Sequence, residues 1–446
     1  MIASTTDTNT KGRYCSAMPG STSSFADLGL RPVVVHALRR LGVQEPFPIQ
    51  SAAIPDALAG RDILGRAPTG SGKTLAFGLP LLHRLSGRAS VPVRPRAVVL
   101  VPTRELALQI STSLEEPALA SGIRIASVVG GVPLKRQLDV LRRGVDVVVA
   151  TPGRLEDLVS TTAVSLADVE IAVIDEADRM SDLGFLPQVA ALLDRTPRDG
   201  QRMLFSATLD GEVDTLVQKY LRTPAFHRTD GPPVAESPVE HHFFRVTAQN
   251  KDSVAAAIAS RDGSTILFLR TKHAVDRLTE KLRAEGVSAA ALHGDKSQAN
   301  RVHTMAAFAD GSVPVLVATD VVARGIDIDG VTLVVHVDPP VDVKDYTHRA
   351  GRTGRAGRTG VVVTLVTENQ EDHVTSLIDE AHIDARIADV VPSSPALIAA
   401  TGARKPTGIP IRPSTPPVGT TATRTGPRRP SGSTGQRTRS RRPGRR

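Results

Sequence analysis

Ala67-Pro-Thr-Gly-Ser-Gly-Lys-Thr74 and Asp175-Glu-Ala-Asp178 lie about a hundred residues apart in a chain of 446 residues. In the first segment Gly70 and Gly72 let the backbone turn tightly enough for successive N–H groups to point inward, and Lys73 and Thr74 close it. Such a nest at a helix start holds anionic phosphates, its lysine adds charge for the outer phosphates, and its hydroxyl ligates Mg²⁺. The usual pattern opens on Gly where this chain has Ala67, so Ala67, Pro68, Thr69, Gly70, Ser71, Gly72, Lys73 and Thr74 form an incomplete version of it. The second segment places carboxylates after the apolar run Glu170-Ile-Ala-Val-Ile. Asp175 at a strand end suits a metal ion, directly or through water. Glu176 is then beside the attacking water, to orient it or to accept its proton. A lone Gly-rich turn, or a lone pair of acids at a helix start, would carry no such meaning. Together they point to nucleotide hydrolysis.

The elements that must position these groups are legible as alternating strand-like and helical runs. Strands are expected at 62–65, 97–101, 123–129, 146–150, 171–174 and 202–205, and a second series at 242–246, 265–269, 289–292, 315–318, 333–337 and 361–365. Continuous Val/Ile runs between helices imply parallel sheets covered on both faces. The expected fold is α/β, with two tandem doubly wound parallel-sheet domains. Residues 1–22 read as a disordered leader, 23–229 as the first domain, 230–239 as a linker, 240–392 as the second domain, and 393–446 as an unfolded Arg-rich tail.

Composition narrows the class. Hydrophobic residues make up 40% of the chain, no apolar run is long enough to span a bilayer, and the first residues lack the apolar core of a secretion signal. A single cysteine, Cys15, excludes an internal disulfide and any cysteine-rich zinc site, which fits a reducing cytoplasm. From Thr401 onward there are eleven Arg, one Lys and no acid. Taking those twelve charges from the overall +9 leaves the remaining body mildly acidic, at −3. No coiled-coil or dimer motif appears.

At this point the residues match a family. Over about 25 to 370 the chain resembles the DEAD-box ATP-dependent RNA helicases, with the motifs in order. Phe25 with Gly42-Val-Gln-Glu-Pro-Phe-Pro-Ile-Gln50 resembles the adenine-reading Q motif, and residues 67–74 and 175–178 the two nucleotide motifs. Pro102-Thr-Arg-Glu-Leu106, Gly130-Gly131 and Thr151-Pro-Gly-Arg154 are similar to the first-domain RNA contacts. Ser206-Ala-Thr208 resembles the segment that couples hydrolysis to strand separation. In the second domain Leu267-Phe-Leu-Arg-Thr271 and Gln298 to Arg301 match weaker motifs. Ala318-Thr-Asp-Val-Val-Ala-Arg-Gly-Ile-Asp327 and His348-Arg-Ala-Gly-Arg-Thr-Gly-Arg355 match strongly.

The resemblance implies two RecA-like domains, ATP and Mg²⁺ as cofactors, and RNA as partner. It implies catalytic roles for Lys73, Asp175, Glu176, Arg352 and Arg355, with Thr74 and Asp175 toward the metal. Phe25, Gln50, residues 67–74 and Asp327 would meet ATP, and Ser206, Thr208 and His348 would couple the two activities. Pro102, Thr103, Arg104, Gly131, Thr151, Pro152, Arg154 and Thr319 would meet RNA. Those backbone groups, hydroxyls and guanidiniums suit phosphates and 2′-hydroxyls and carry little sequence information. In the cluster Arg349, Arg352, Arg355 and Arg358, the resemblance turns Arg352 and Arg355 toward the γ-phosphate, where such groups contribute on the order of 10³–10⁵ in rate.

The Q motif departs from the family in two places. Val43 stands where an aromatic ring for adenine stacking is usual, and Phe47 where Ser or Thr is usual. Gln50 keeps an amide able to pair with a donor and an acceptor on adenine. Phe47 either supplies the missing apolar surface in part or packs against the helix from Ser51 to Leu58.

Three functions are compatible with parts of this pattern. One is an RNA-stimulated ATPase that locally and non-processively unwinds short RNA duplexes and remodels their complexes. Another is an ATP-gated RNA clamp or annealing protein with little unwinding, whose site is vestigial in the extreme; the catalytic set argues against a dead site. The third is a DNA helicase of the same superfamily, in which His commonly replaces the residue at Asp178 and the Gln50 segment is lacking. The Arg-rich tail has no aromatic residue for base stacking and reads as an auxiliary, non-specific RNA tether.

Overall fold

The computed structural model describes residues 24–67, 70–209, 211–229, 239–320, 331–354 and 359–412. The expected leader, most of the linker, Pro68, Thr69, Asp327, Arg355, Arg358 and residues 413–446 lie outside the described residues.

Two seven-stranded sheets form the core. The first contains β1 (Ile63–Arg66), β2 (Ala97–Leu100), β3 (Ile125–Val128), β4 (Val147–Ala150), β5 (Ile171–Asp175), β6 (Gln201–Ser206) and β7 (Ala225–Arg228). The second contains β8 (Val239–Arg245), β9 (Thr265–Phe268), β10 (Ala289–Leu292), β11 (Val315–Ala318), β12 (Leu333–His336), β13 (Gly360–Val366) and β14 (Ile387–Asp389). The orders are β3-β4-β2-β5-β6-β1-β7 and β10-β11-β9-β12-β13-β8-β14, the same permutation in each, and all the pairings described are parallel.

The burial pattern explains why these runs read as continuous apolar strands. Along β2, Ala97 and Val99 enter one cluster, with Ile49, Phe77, Leu81 and Leu114 from covering helices. Val98 and Leu100 enter another, with Leu155, Leu158, Val189 and Leu192 on the opposite face. With helices on both faces, no position along the strand has reason to be polar. The second sheet repeats the arrangement, Leu267 and Val317 facing one cluster and Ile266 and Leu316 the other. At the front of the first lobe, Phe25, Leu28, Leu30, Val34 and Leu38 form a satellite cluster with Ile54 and Leu79. That cluster fixes the helix Pro48–Leu58 against the helix Lys73–Leu85. Among the described residues no helix is long and apolar enough to cross a membrane.

Two expectations need correction. The edge strands β7 and β14 were not anticipated, because each is short and half exposed. Nor is the segment after residue 393 wholly an unfolded arm. A helix, Pro395–Thr401, buries Leu397 and Thr401 and ends on Gly402 at φ 69°. The chain then runs back across the lobe. Arg404 N–H donates to Ala257 C=O, Gly408 N–H to Glu285 C=O and Ile411 N–H to Arg283 C=O. Its Pro, Gly and Thr content hid this strap, yet those residues cap the helix and turn the chain rather than disorder it.

A chain ending at Val391 is therefore expected to be less stable than one ending at Arg412. Leu397→Ala alone should cost about 2–5 kcal/mol, since it leaves a cavity in a packed core. Thermal unfolding of the three chains checks this; equal melting temperatures would show that the strap is not part of the fold.

Candidate functional site

The strand order brings the two nucleotide motifs together. The phosphate loop follows β1 and the acids follow β5, with β6 between them. Ser206 at the end of β6 touches both: its carbonyl accepts from Ala67 N–H at 3.1 Å, and its hydroxyl accepts from Asp178 N–H at 3.1 Å. Asp178 in turn accepts from Thr208 N–H at 3.2 Å. Ser206 is thus hydrogen-bonded to both motifs, and Thr208 to the second.

Gly70 and Gly72 have φ of 82° and 85°, the left-handed region open to glycine. A Cβ on Gly72 would also collide with the Gln50 amide. Lys73 begins the helix, is 7% exposed, and donates from Nζ to Ala67 C=O at 2.8 Å. Thr74 is half-buried in the first helical turn.

Asp175 is 3% exposed, with Oδ1 accepting from Glu176 N–H at 3.0 Å. Burial pushes its pKa up to about 7; Lys73 opposes the rise, and Glu176 and Asp178 add to it. Such a carboxylate is short of positive charge. Among the described residues no group of three or more His, Cys, Asp or Glu is placed to hold a metal ion. The arrangement fits a Mg²⁺ ion held by Asp175, Thr74 and the phosphates of a bound nucleotide, the way this hard cation is usually shared with substrate.

Glu176 occupies a left-handed backbone conformation, φ 53° and ψ 51°, at the abrupt turn from β5 into the helix Ala177–Asp182. A non-glycine residue there stores of order 1–3 kcal/mol. Its Oε2 accepts from Arg179 Nη1 at 2.9 Å. Burial alone would raise its pKa, but Arg179, Lys73 and Arg352 outweigh that and hold it below the usual range. Arg352 belongs to the second lobe, is 7% exposed, and donates from Nε to His348 C=O at 3.3 Å. His348 is half-buried on the helix Val343–Ala350.

On the nucleoside side, Gln50 is 1% exposed. Its Oε1 accepts from Phe47 N–H and its Nε2 donates to Gly72 C=O, both at 2.9 Å. One N–H and one lone pair remain for a further partner. Phe25 is 2% exposed inside the satellite cluster, packed with Ile54 of the Gln50 helix.

The residues expected to meet RNA fall into two groups. Thr151 and Thr319 are half-buried at strand ends, and Pro152 is buried at a helix start. Thr103 caps the helix Arg104–Ala120 by accepting from Leu106 N–H at 3.3 Å, beside buried Pro102. Arg104 and Arg154 clasp the Gly130-Gly131 turn. The Arg104 guanidinium occupies the space a side chain on Gly131 would need, and Arg154 Nη1 donates to Val132 C=O at 2.8 Å. Gln137, not anticipated, holds the same turn: it is 5% exposed and binds Val129 N–H and C=O and Val132 C=O at 2.9, 3.1 and 3.0 Å.

Two further polar links join the lobes. Glu105 and Arg301 form an ion pair with both side chains 6% exposed, and Gln298 Nε2 donates to Glu105 Oε1 at 3.4 Å. Lys344 Nζ donates to Asp182 Oδ1 at 2.6 Å. Arg349 braces the second lobe from within, donating from Nε and Nη2 to Asp320 at 2.5 and 2.6 Å and from Nη1 to Asp338 C=O at 2.8 Å.

The comparisons with known proteins agree with this geometry. A DEAD/DEAH box helicase family model matches residues 47–216, and a helicase conserved C-terminal domain model matches residues 250–357. A DEAD-box ATP-dependent RNA helicase, CshA of Geobacillus kaustophilus (strain HTA426), is 37% identical over 350 residues, spanning 78% of this chain and 74% of that protein. The chain belongs to the DEAD-box helicase family. Membership makes this helicase an ATP hydrolase and its two sheets RecA-like domains. Among solved structures, S. cerevisiae Dbp5 bound to RNA and ADP BeF3 is 30% identical with a TM-score of 0.73, covering 83% of this chain and 96% of that one. Mss116p bound to ssRNA and AMP-PNP is 26% identical with a TM-score of 0.72, covering 86% and 83%.

Removing one member of a buried ion pair strands the other charge, a cost of about 3–5 kcal/mol. Because Glu105 and Arg301 span the lobes, Arg301→Ala should weaken RNA binding at least about tenfold in the presence of a non-hydrolysable ATP analogue, and much less without it. RNA titrations in both conditions check this. Equal losses in the two would mean that the pair does not report lobe closure.

Proposed function

We propose that this helicase is an RNA-stimulated ATPase that opens short RNA duplexes locally and non-processively, and so remodels RNA and its complexes. The observation that carries the reading is that Arg352 of the second lobe comes near enough to Glu176 of the first to add to the charges of Arg179 and Lys73 that lower its pKa. An ionised, buried carboxylate is a competent acceptor for a proton from water. Arg352 comes from the second lobe, so the full set of groups around Glu176 is assembled only when the lobes are apposed.

Lys73 and Arg352 bring positive charge to the site from opposite lobes, where charge spreads over a phosphoryl group in transfer. Mg²⁺, when bound, withdraws further charge from the phosphate oxygens. Glu176 orients the attacking water and takes up its proton, while Arg179 fixes the carboxylate. Ser206 and Thr208 carry a change at the acids toward the loop at Ala67. RNA is gripped by the Gly130-Gly131 turn, Thr103, Thr151 and Thr319, with Arg104 and Arg154 positioning the turn. Both ligands bridge the lobes, so each tightens the other. A strand bent on closure loses pairing locally, and hydrolysis reopens the clamp.

The Arg-rich residues beyond Arg412 act in this reading as an auxiliary RNA tether, by charge alone. A chain ending at Arg412 should bind RNA more weakly and with a shallower salt dependence; an unaltered slope refutes the tether.

Glu176→Gln should retain ATP and RNA binding while kcat falls by about 10²–10⁴, the contribution typical of a positioned base. ATPase assays and RNA titrations on this variant test the reading. Normal turnover would contradict the role given to Glu176.

A further inference from the structure

We propose that Phe47 is the platform on which this chain seats the nucleoside of its nucleotide. The inference rests on the ATP reading above and deepens it.

Phe47 is 56% exposed, whereas Phe25, Phe77 and Phe205 are fully enclosed. A large aromatic left in water beside a ligand loop is a surface awaiting a partner. Its position is fixed. It precedes Pro48 at the start of the helix Pro48–Leu58, in extended backbone, with its N–H held by Gln50. Its Cδ2 lies 2.6 Å from the point a Cβ on Gly72 would occupy, so the ring stands against the phosphate loop itself.

Sheet order assigns the ring to one end of the ligand. Across the first sheet the strands run β5-β6-β1-β7, with the loop at β1. Asp175 and Glu176, which mark the terminal phosphate, lie to the β5 side. The helix Pro48–Leu58 packs over β1 and β7, on the other side. A nucleotide with its terminal phosphate at the acids must therefore lead its sugar and base out past Phe47 and Gln50. Val43 does not compete for this place, because it packs into the satellite cluster with Phe25. The other strongly exposed phenylalanine, Phe226, is in register with Leu64 and so on the opposite face of the sheet from Ile49 and Ala53.

The chemistry divides between two neighbours. A phenyl ring stacks on any base, so Phe47 contributes affinity without choosing among bases. Gln50, with one donor and one acceptor to spare, makes the choice.

The test uses the full chain, with ADP and inorganic pyrophosphate as probes. Phe47→Ala should weaken ADP binding about 5- to 100-fold, the range expected for a lost base–aromatic stack, and leave pyrophosphate binding within about twofold. The chain contains no Trp, so Phe47→Trp provides a single tryptophan whose emission can be excited apart from that of the tyrosines. That variant should hold ADP at least as tightly as the natural chain, and its emission should change on adding ADP but not pyrophosphate. Unchanged ADP affinity in Phe47→Ala would overturn the proposal. So would equal losses of ADP and pyrophosphate, which would make the ring a mere prop for the loop. Should the natural chain bind neither ADP nor ATP, the nucleotide reading itself falls, a result separable from both of these.

Discussion

One electrostatic arrangement underlies the rest: a buried carboxylate, Glu176, lies where burial raises its pKa and neighbouring cations lower it. Two of the three cations that achieve this, Lys73 and Arg179, belong to its own lobe, and the third, Arg352, belongs to the other. Removing a charge from water is costly unless its partners are in place. Parting the lobes would remove the Arg352 charge from beside that carboxylate. Glu105 with Arg301 and Lys344 with Asp182 tie the same apposed arrangement at other points.

The duplicated sheet carries two versions of one lysine–acid arrangement. Lys73 opens the helix after β1, and Lys251 opens the helix at the same topological place after β8. In the first lobe a glycine loop precedes the lysine, and the nearby acid Asp175 stays short of compensating charge. In the second lobe no such loop precedes Lys251, and its Nζ is bonded directly to Asp338 at 2.6 Å. Asp338 also accepts from Arg270 N–H, so lysine and acid satisfy one another. The second lobe is left to contribute Arg352 across the cleft.

Much of this was legible in the sequence, for physical reasons that also explain what was not. Buried parallel strands leave continuous Val/Ile runs, so twelve strands could be placed; β7 and β14, at sheet edges, leave no such trace. The loop at 70–73 was legible because left-handed backbone at 70 and 72 favours glycine. The strap through 412 was not, because it is held by burial of Leu397, Thr401 and Ala403 and by backbone hydrogen bonds to distant residues, which composition does not show. Gln137 had no spacing to mark it, and its role arises only where the chain folds back on the Gly130-Gly131 turn. Thr103 shows the opposite case, a residue expected at RNA whose hydroxyl also caps a helix. Pairings such as Glu105 with Arg301 join distant parts of the chain and have no local pattern.

The central claim is that triphosphate and RNA stabilise one closed arrangement and so bind cooperatively. The most direct measurement is a thermodynamic cycle: RNA affinity with and without a non-hydrolysable ATP analogue, and analogue affinity with and without RNA. Linkage requires the same coupling factor by both routes, and closure requires it to be well above one, on the order of tenfold or more. A factor of one, with each ligand indifferent to the other, would contradict the account.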